Sequence, residues 1–144
     1  MKVGIAGYGV VGKTRHRSIE SNTSYQVTAI SESNKEAQEF IPAGIEVYND
    51  YKSLIANADI DVIFISLPNQ FAAEAACLSL QNGLHVFCEK PPAKTHAELL
   101  EVEKQSLKFP KLKLMYGFNH RFHLSVEEAK LLIDSNSLGR LINM

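Results

Sequence analysis

The sequence predicts an α/β fold, a doubly wound parallel sheet with helices on both faces, and three observations predict it. Apolar runs of strand length alternate along the chain with segments of helical period. The first run, Lys2-Val3-Gly4-Ile5-Ala6, empties into Gly7-Tyr8-Gly9-Val10-Val11-Gly12, a glycine turn that opens a helix. A later run, Asp61-Val62-Ile63-Phe64-Ile65-Ser66, has the unbroken apolar centre of a strand buried on both faces. Short connections between alternating elements favour right-handed crossovers. With a glycine turn after the first strand, the natural strand order is 3-2-1-4-5-6, and a ligand lies across the carboxyl ends of strands one and four.

Each glycine of the first turn has a use in a dinucleotide site. Gly7 permits the tight turn, Gly9 lets backbone approach a pyrophosphate, and Gly12 lets the helix pack against the strand. Unpaired N–H groups and the positive end of the helix dipole, from Val10 and Val11 onward, then face the phosphates, with Tyr8 in the same loop. The second strand, Tyr25 to Ser31, ends just before Glu32. This acid falls about 20 residues beyond Gly12, the spacing of a ribose contact in a Rossmann-type unit. A carboxylate there accepts bonds from ribose hydroxyls and repels a 2′-phosphate, favouring NAD over NADP. The neighbouring Ser33, Asn34 and Lys35 soften that discrimination and leave NADP open.

The remaining elements follow in order. Asn34 to Phe40 reads as helix and Gly44 to Tyr48 as a short third strand. Asn49 or Asp50 can cap the helix carrying Leu54 and Ile55. The fourth strand breaks at Leu67-Pro68-Asn69, at the edge of the expected crevice, and Gln70 to Gln81 is an Ala-rich helix closed by Asn82-Gly83. Leu84 to Cys88 is the fifth strand, Thr95 or His96 opens a helix through Leu107, and Leu112 to Tyr116 is the sixth strand. An amphipathic helix from Leu124 to Ile133 ends at Ser137-Leu138-Gly139, and Arg140 to Met144 starts something strand-like. No repeat, low-complexity tract or linker interrupts the chain.

At 144 residues the chain fits one domain with a real core. A net charge of −1 with no basic run argues against a nucleic-acid partner. No apolar stretch reaches the roughly 20 residues of a membrane span, and the first residues read as a core strand rather than a leader. Cys77 and Cys88 have neither C-x-x-C nor metal spacing, so two reduced thiols in a cytoplasmic protein are expected.

Two strand ends offer chemistry. The fifth ends in Cys88-Glu89-Lys90-Pro91-Pro92, which places Glu89 and Lys90 beside the crevice. Burial and a nicotinamide cation would both lower a lysine's pKa, making it an acid/base or a donor to a hydroxyl. An exposed lysine before a turn is the competing reading. The sixth strand ends in Tyr116-Gly117-Phe118-Asn119-His120-Arg121-Phe122-His123, whose polar groups suit a hydroxyl-rich or carboxylate-bearing substrate. His120 and His123 stand three apart, but no Cys, Asp or Glu completes a set nearby, so no metal is expected. Phe118 and Phe122 read as packing residues, and His16 and His85 as structural or surface residues.

These segments, taken in order, resemble the N-terminal domain of the Gfo/Idh/MocA oxidoreductases, the glucose-fructose oxidoreductase and inositol dehydrogenase family. The glycine turn, Asp61 to Asn69, Gly83 to Pro91 and Gly117 to Phe122 carry the resemblance, and Glu89-Lys90-Pro91 is its most specific part. It implies a nicotinamide-dependent hydride transfer to or from a sugar, cyclitol or sugar-nucleotide hydroxyl. It further implies that Lys90 is the catalytic or substrate-orienting lysine, supported by Glu89, with Asn119 and Arg121 beside the substrate and Glu89 and Lys90 also touching the cofactor. The chain departs from the pattern at Ala72, where members often carry histidine.

Members also continue into a second, mostly antiparallel domain that covers the nicotinamide. The expected division is therefore residues 1–121 as the dinucleotide-binding unit, with 122–144 holding the last helix and the severed start of a further domain. Such a chain is expected to bind NAD(H) and turn over poorly. A non-catalytic module that reports NAD(H) occupancy is the alternative, and an uncovered apolar face makes a second copy of the chain a further expected partner.

Overall fold

A computed structural model describes all residues except 138, 141, 143 and 144. In chain order the elements are β1 (Lys2–Ala6), α1 (Val10–Glu20), β2 (Gln26–Ser31), α2 (Lys35–Gln38), β3 (Glu46–Tyr48), α3 (Tyr51–Asn57), β4 (Val62–Ile65), α4 (Asn69–Gln81), β5 (His85–Cys88), α5 (His96–Lys108), β6 (Leu114–Tyr116), a 3-10 turn (Asn119–Phe122) and α6 (Leu124–Asp134). The sheet order is β3-β2-β1-β4-β5-β6 with every pair parallel, the order expected from the glycine turn.

Period-two alternation divides the core into two layers. Val3 and Ile5 point with Ile30 and Val62 toward Ile19 of α1. Ala6, Ile63 and Ile65 point the other way, into Leu54, Ala72, Ala76, Leu80 and Val102 from α3, α4 and α5. Ala72, Ala73, Ala75 and Ala76 are all buried, so the small side chains let α4 lie close on the sheet. Gly4 serves the same purpose in β1, where a Cβ would come within 2.6 Å of Ile60 Cδ1.

Side chains start the helices after β2, β3 and β5. Asn34 accepts from Glu36 and Ala37 N–H, Asp50 from Ser53 N–H, and Thr95 from Glu98 N–H. α2 is shorter than the expected 34–40: past Gln38 the chain tightens into i→i+3 bonds, Phe40 N–H to Ala37 O and Ile41 N–H to Gln38 O. α6 forms over the expected residues but has no buried residue. The strand-like Arg140–Met144 lies, at 141, 143 and 144, outside the described residues. Among the described residues no helix is long and apolar enough to cross a membrane.

What positions the site is the continuation of the sheet ladder one residue past the strands. Glu32 N–H bonds Tyr48 O, Gly7 N–H bonds Ser31 O, Ser66 N–H bonds Ala6 O, Glu89 N–H bonds Ile65 O and Gly117 N–H bonds Cys88 O. Five residues are thereby held in a row along the carboxyl edge.

Candidate functional site

The glycine turn bends where Gly7 takes φ +88°, a conformation that L side chains rarely adopt. A Cβ on Gly12 would stand 2.1 Å from Gly7 O, so only glycine lets α1 start this close to β1. Gly9 instead faces open space, with nothing within 4 Å of a would-be Cβ. As N-cap of α1 it has no side chain to satisfy the first N–H groups, and no acidic residue fills the first turn.

Those N–H groups face a cavity of about 610 Å³, lined by Gly7, Gly9, Val10 and Val11 on one side and by Ser66, Leu67, Pro68 and Phe71 on the other. Ser31, Glu32 and Ser33 close one end together with Asn49, Asp50 and Tyr51. Glu32 is held by backbone: Oε2 accepts from Tyr8 N–H at 3.0 Å and Oε1 from Asn34 N–H at 2.9 Å. Its main-chain oxygen accepts from Gln38 Nε2 at 2.6 Å. Each carboxylate oxygen keeps a further lone pair for a ligand hydroxyl.

Five expected cofactor residues do not line this cavity: Tyr8, Gly12, Asn69, Glu89 and Lys90. The Tyr8 side chain is buried in the β1–α1 layer, its hydroxyl 2.7 Å from Nδ1 of the equally buried His16, and its N–H is committed to Glu32. Gly12 acts through packing alone. Asn69 is exposed at the start of α4. The sequence reading missed Asn49, Asp50 and Tyr51 as lining residues. The signal was present, because a helix following a parallel strand starts on the same carboxyl edge as the glycine turn. Tyr51 donates to Glu74 at 2.5 Å and lies tilted against Phe71. Its phenol is raised above the ordinary range by burial and then by the Glu74 charge.

At the far end of the edge the Glu89 carboxylate turns to Arg15, whose Nε and Nη2 both stand 2.5 Å from Oε1. Arg15 Nη2 also donates to Asn119 Oδ1 at 3.3 Å. Arg15 was not anticipated, although it stands one helical turn past Gly12 and hence on the same side of α1. Lys90 follows at a cis Lys90–Pro91 peptide. It is exposed rather than buried, and its ammonium makes no ion pair among the described residues.

Arg121 is exposed between Phe118 and Phe122. The two phenylalanines are not packing residues in this structure: they are 54% and 56% exposed, and α6, which lines a shallow surface pocket beside them through Val126, Glu127 and Lys130, leaves them open. His120 and His123 stack at 4.9 Å, and among the described residues no group of three or more His, Cys, Asp or Glu gathers. Cys88 is buried, and burial together with the Glu89 charge pushes its thiol up to about 12.

The chemistry of this edge fits a dinucleotide. Uncapped N–H groups suit a pyrophosphate, and Glu32 suits vicinal hydroxyls. The Ser66 hydroxyl, buried beside the cavity with no partner among the described residues, is a further donor for an acceptor. Fold and site together define a dinucleotide-binding unit of the doubly wound class. Residues 1–118 match the Gfo/Idh/MocA oxidoreductase family, NAD-binding Rossmann fold, and the chain belongs to that family.

Inositol 2-dehydrogenase of Salmonella typhimurium is 31% identical over 145 residues, which cover 97% of this chain and 43% of that protein. D-glucoside 3-dehydrogenase of Escherichia coli is 29% identical, covering 98% of this chain and 41% of its own length. Scyllo-inositol dehydrogenase from Lactobacillus casei, solved with bound NAD(H) and scyllo-inositol, superposes with a TM-score of 0.89 at 29% identity, covering 96% of this chain and 42% of that one. The chain thus spans less than half the length of the relatives it matches. It is an NAD-binding oxidoreductase domain related to inositol dehydrogenases.

Proposed function

We propose that the chain is the cofactor-holding part of a dehydrogenase that moves a hydride between NAD(H) and a hydroxyl of a cyclitol, sugar or sugar nucleotide. The observation that carries this reading is the pairing of an uncapped glycine turn with a backbone-anchored Glu32 in one cavity. Glu32 would hold the adenosine ribose, Val10 and Val11 N–H the pyrophosphate, and Ser66 and Leu67 the middle of the cofactor. The nicotinamide supplies the hydride chemistry when bound. Lys90 would give or take the proton of the reacting hydroxyl, with Asn119 and Arg121 orienting the substrate. The setting proposed is cytoplasmic, with Cys77 and Cys88 as reduced thiols; both are unpaired in the structure.

A non-catalytic reporter of NAD(H) occupancy is the second reading. Ala72 favours it, because a buried alanine places no functional group where the family resemblance often implies a histidine. Exposure of Lys90 and Arg121 also leaves the substrate side open to water, so the chain by itself is expected to bind cofactor and turn over slowly.

Calorimetric titration with NADH and NADPH tests the binding claim. NADH should bind more tightly, and a chain that ignores both nucleotides removes the proposal. In any preparation that turns over, Lys90→Ala should retain NADH binding and lose about 10²–10⁴-fold in rate. Unchanged turnover would remove Lys90 from the proton transfer.

A further inference from the structure

Arg15 reaches from α1 across the carboxyl edge to the ends of both β5 and β6. Its contacts with Glu89 and Asn119 are joined by a third, its guanidinium carbon standing 5.0 Å from the centre of the Phe87 ring. The ion pair is largely shielded, with Arg15 and Glu89 side chains 20% and 13% exposed. Glu89 is trapped from the other side as well: a Cβ on Gly117 would come within 2.8 Å of Oε2. The ladder bond from Glu89 N–H to Ile65 O fixes its backbone.

A shielded carboxylate needs a cation, and two are available in this region: Arg15 through space and Lys90 through sequence. The fold gives it Arg15. Lys90, next in sequence and exposed, is consequently left without an acidic partner among the described residues. Glu32 marks the adenosine end at β2 and the glycine turn marks the pyrophosphate at β1, so the second nucleoside must extend over β4 toward β5. The clamp therefore stands at the nicotinamide end.

We propose that Arg15 is a positioning residue for the nicotinamide half of the cofactor. By taking Glu89 as its own partner it joins the ends of β5 and β6 into one wall and leaves the Lys90 ammonium free for the ligand. This rests on the dinucleotide reading above.

The test compares NADH with ADP-ribose, which shares the adenosine and pyrophosphate but lacks the nicotinamide. Arg15→Leu should weaken NADH binding by about tenfold while moving ADP-ribose affinity by less than about twofold. Arg15→Lys keeps the charge but loses the planar fork and its stacking on Phe87, so an intermediate, equally selective loss is expected. Adding Glu89→Gln to Arg15→Leu should cost nothing more, because both changes break one contact. Equal losses for the two ligands would show a merely structural ion pair and overturn the proposal, as would no loss for either.

Should Arg15→Leu fail to fold, Arg15→Lys decides by the same criterion. The unsubstituted chain separates the two levels. If it binds neither ligand, the dinucleotide reading falls and the Arg15 proposal with it. If it binds both and the Arg15 variants match it, the Arg15 proposal alone falls.

Discussion

Glu32 does its work with both oxygens already anchored to main-chain N–H groups, from Tyr8 on one side and Asn34 on the other. Its direction is thereby set before any ligand arrives, and little side-chain entropy remains to be lost on binding. Glu32→Gln keeps the shape and removes the charge that repels a 2′-phosphate. The NADH-to-NADPH affinity ratio should fall by about tenfold, since a hydrogen bond to a charged group is worth about 1.5–3 kcal/mol. An unchanged ratio in paired titrations would remove Glu32 from the discrimination.

Gly12 acts by absence. Its would-be Cβ meets the Gly7 carbonyl at 2.1 Å, backbone against backbone, and neither can yield cheaply. Gly12→Ala should destabilise the fold by about 3 kcal/mol, the upper end of the usual overpacking cost, read as a lower urea midpoint. Cys88 gives a chemical readout of the same core: with its thiol pushed up to about 12, it should resist alkylation at pH 8 while folded and react once unfolded.

At the scale of elements, α3 shows how a cap doubles as a site wall. Asp50 accepts from Ser53 N–H at 2.8 Å and from the Ser53 hydroxyl at 2.7 Å, and its residue also lines the cavity. The backbone bond, then the hydroxyl, hold its carboxyl below the ordinary 3.8. Because the folded value is depressed, the cap's contribution is fully present above about pH 4 and is lost as pH falls through the folded value. Asp50→Ala should cost about 1 kcal/mol near neutral pH. That difference from the unsubstituted chain should shrink in melts taken below the ordinary carboxylate range. A constant difference would show that the cap is not what the aspartate supplies.

Elements also differ in how far the sequence declared them. β1, β4 and their neighbours were legible because two-sided burial demands unbroken apolar runs, and the strand order followed from the glycine turn between them. The early end of α2 is a switch to i→i+3 bonding at Phe40 and Ile41, which a reading of apolar period passes over. The Arg15–Glu89 clamp was not legible, since its partners lie 74 residues apart and neither belongs to a pattern with the other. Asn49 or Asp50 reads as a cap, and both, with Tyr51, become a cavity wall only once β3 is set beside β2.

Across the whole molecule, stability is graded from the sheet outward. Val3, Ile5, Ile30 and Ile63 have no exposed surface, whereas α6 buries none of its residues and has the short 3-10 turn as its principal packing neighbour. Amides of α6 should therefore exchange with solvent deuterium far faster than those of β1 and β4, whose opening requires global unfolding. Comparable protection in both would mean that the helix is packed in solution, for instance against a second copy.

The sequence by itself determined the class of fold, the order of its strands and the place of the phosphate-binding turn. Each of these rests on local period or on glycines within six residues of one another, where neighbours in the chain are neighbours in space. Tertiary structure alone decided which acid meets which cation, that Glu89 belongs to Arg15 and Lys90 has no ion-pair partner among the described residues, and that Phe118 and Phe122 face solvent. Those outcomes depend on crossovers bringing α1, β5 and β6 to one edge, and a side chain's partner there is chosen by distance, to which the linear order of residues is blind.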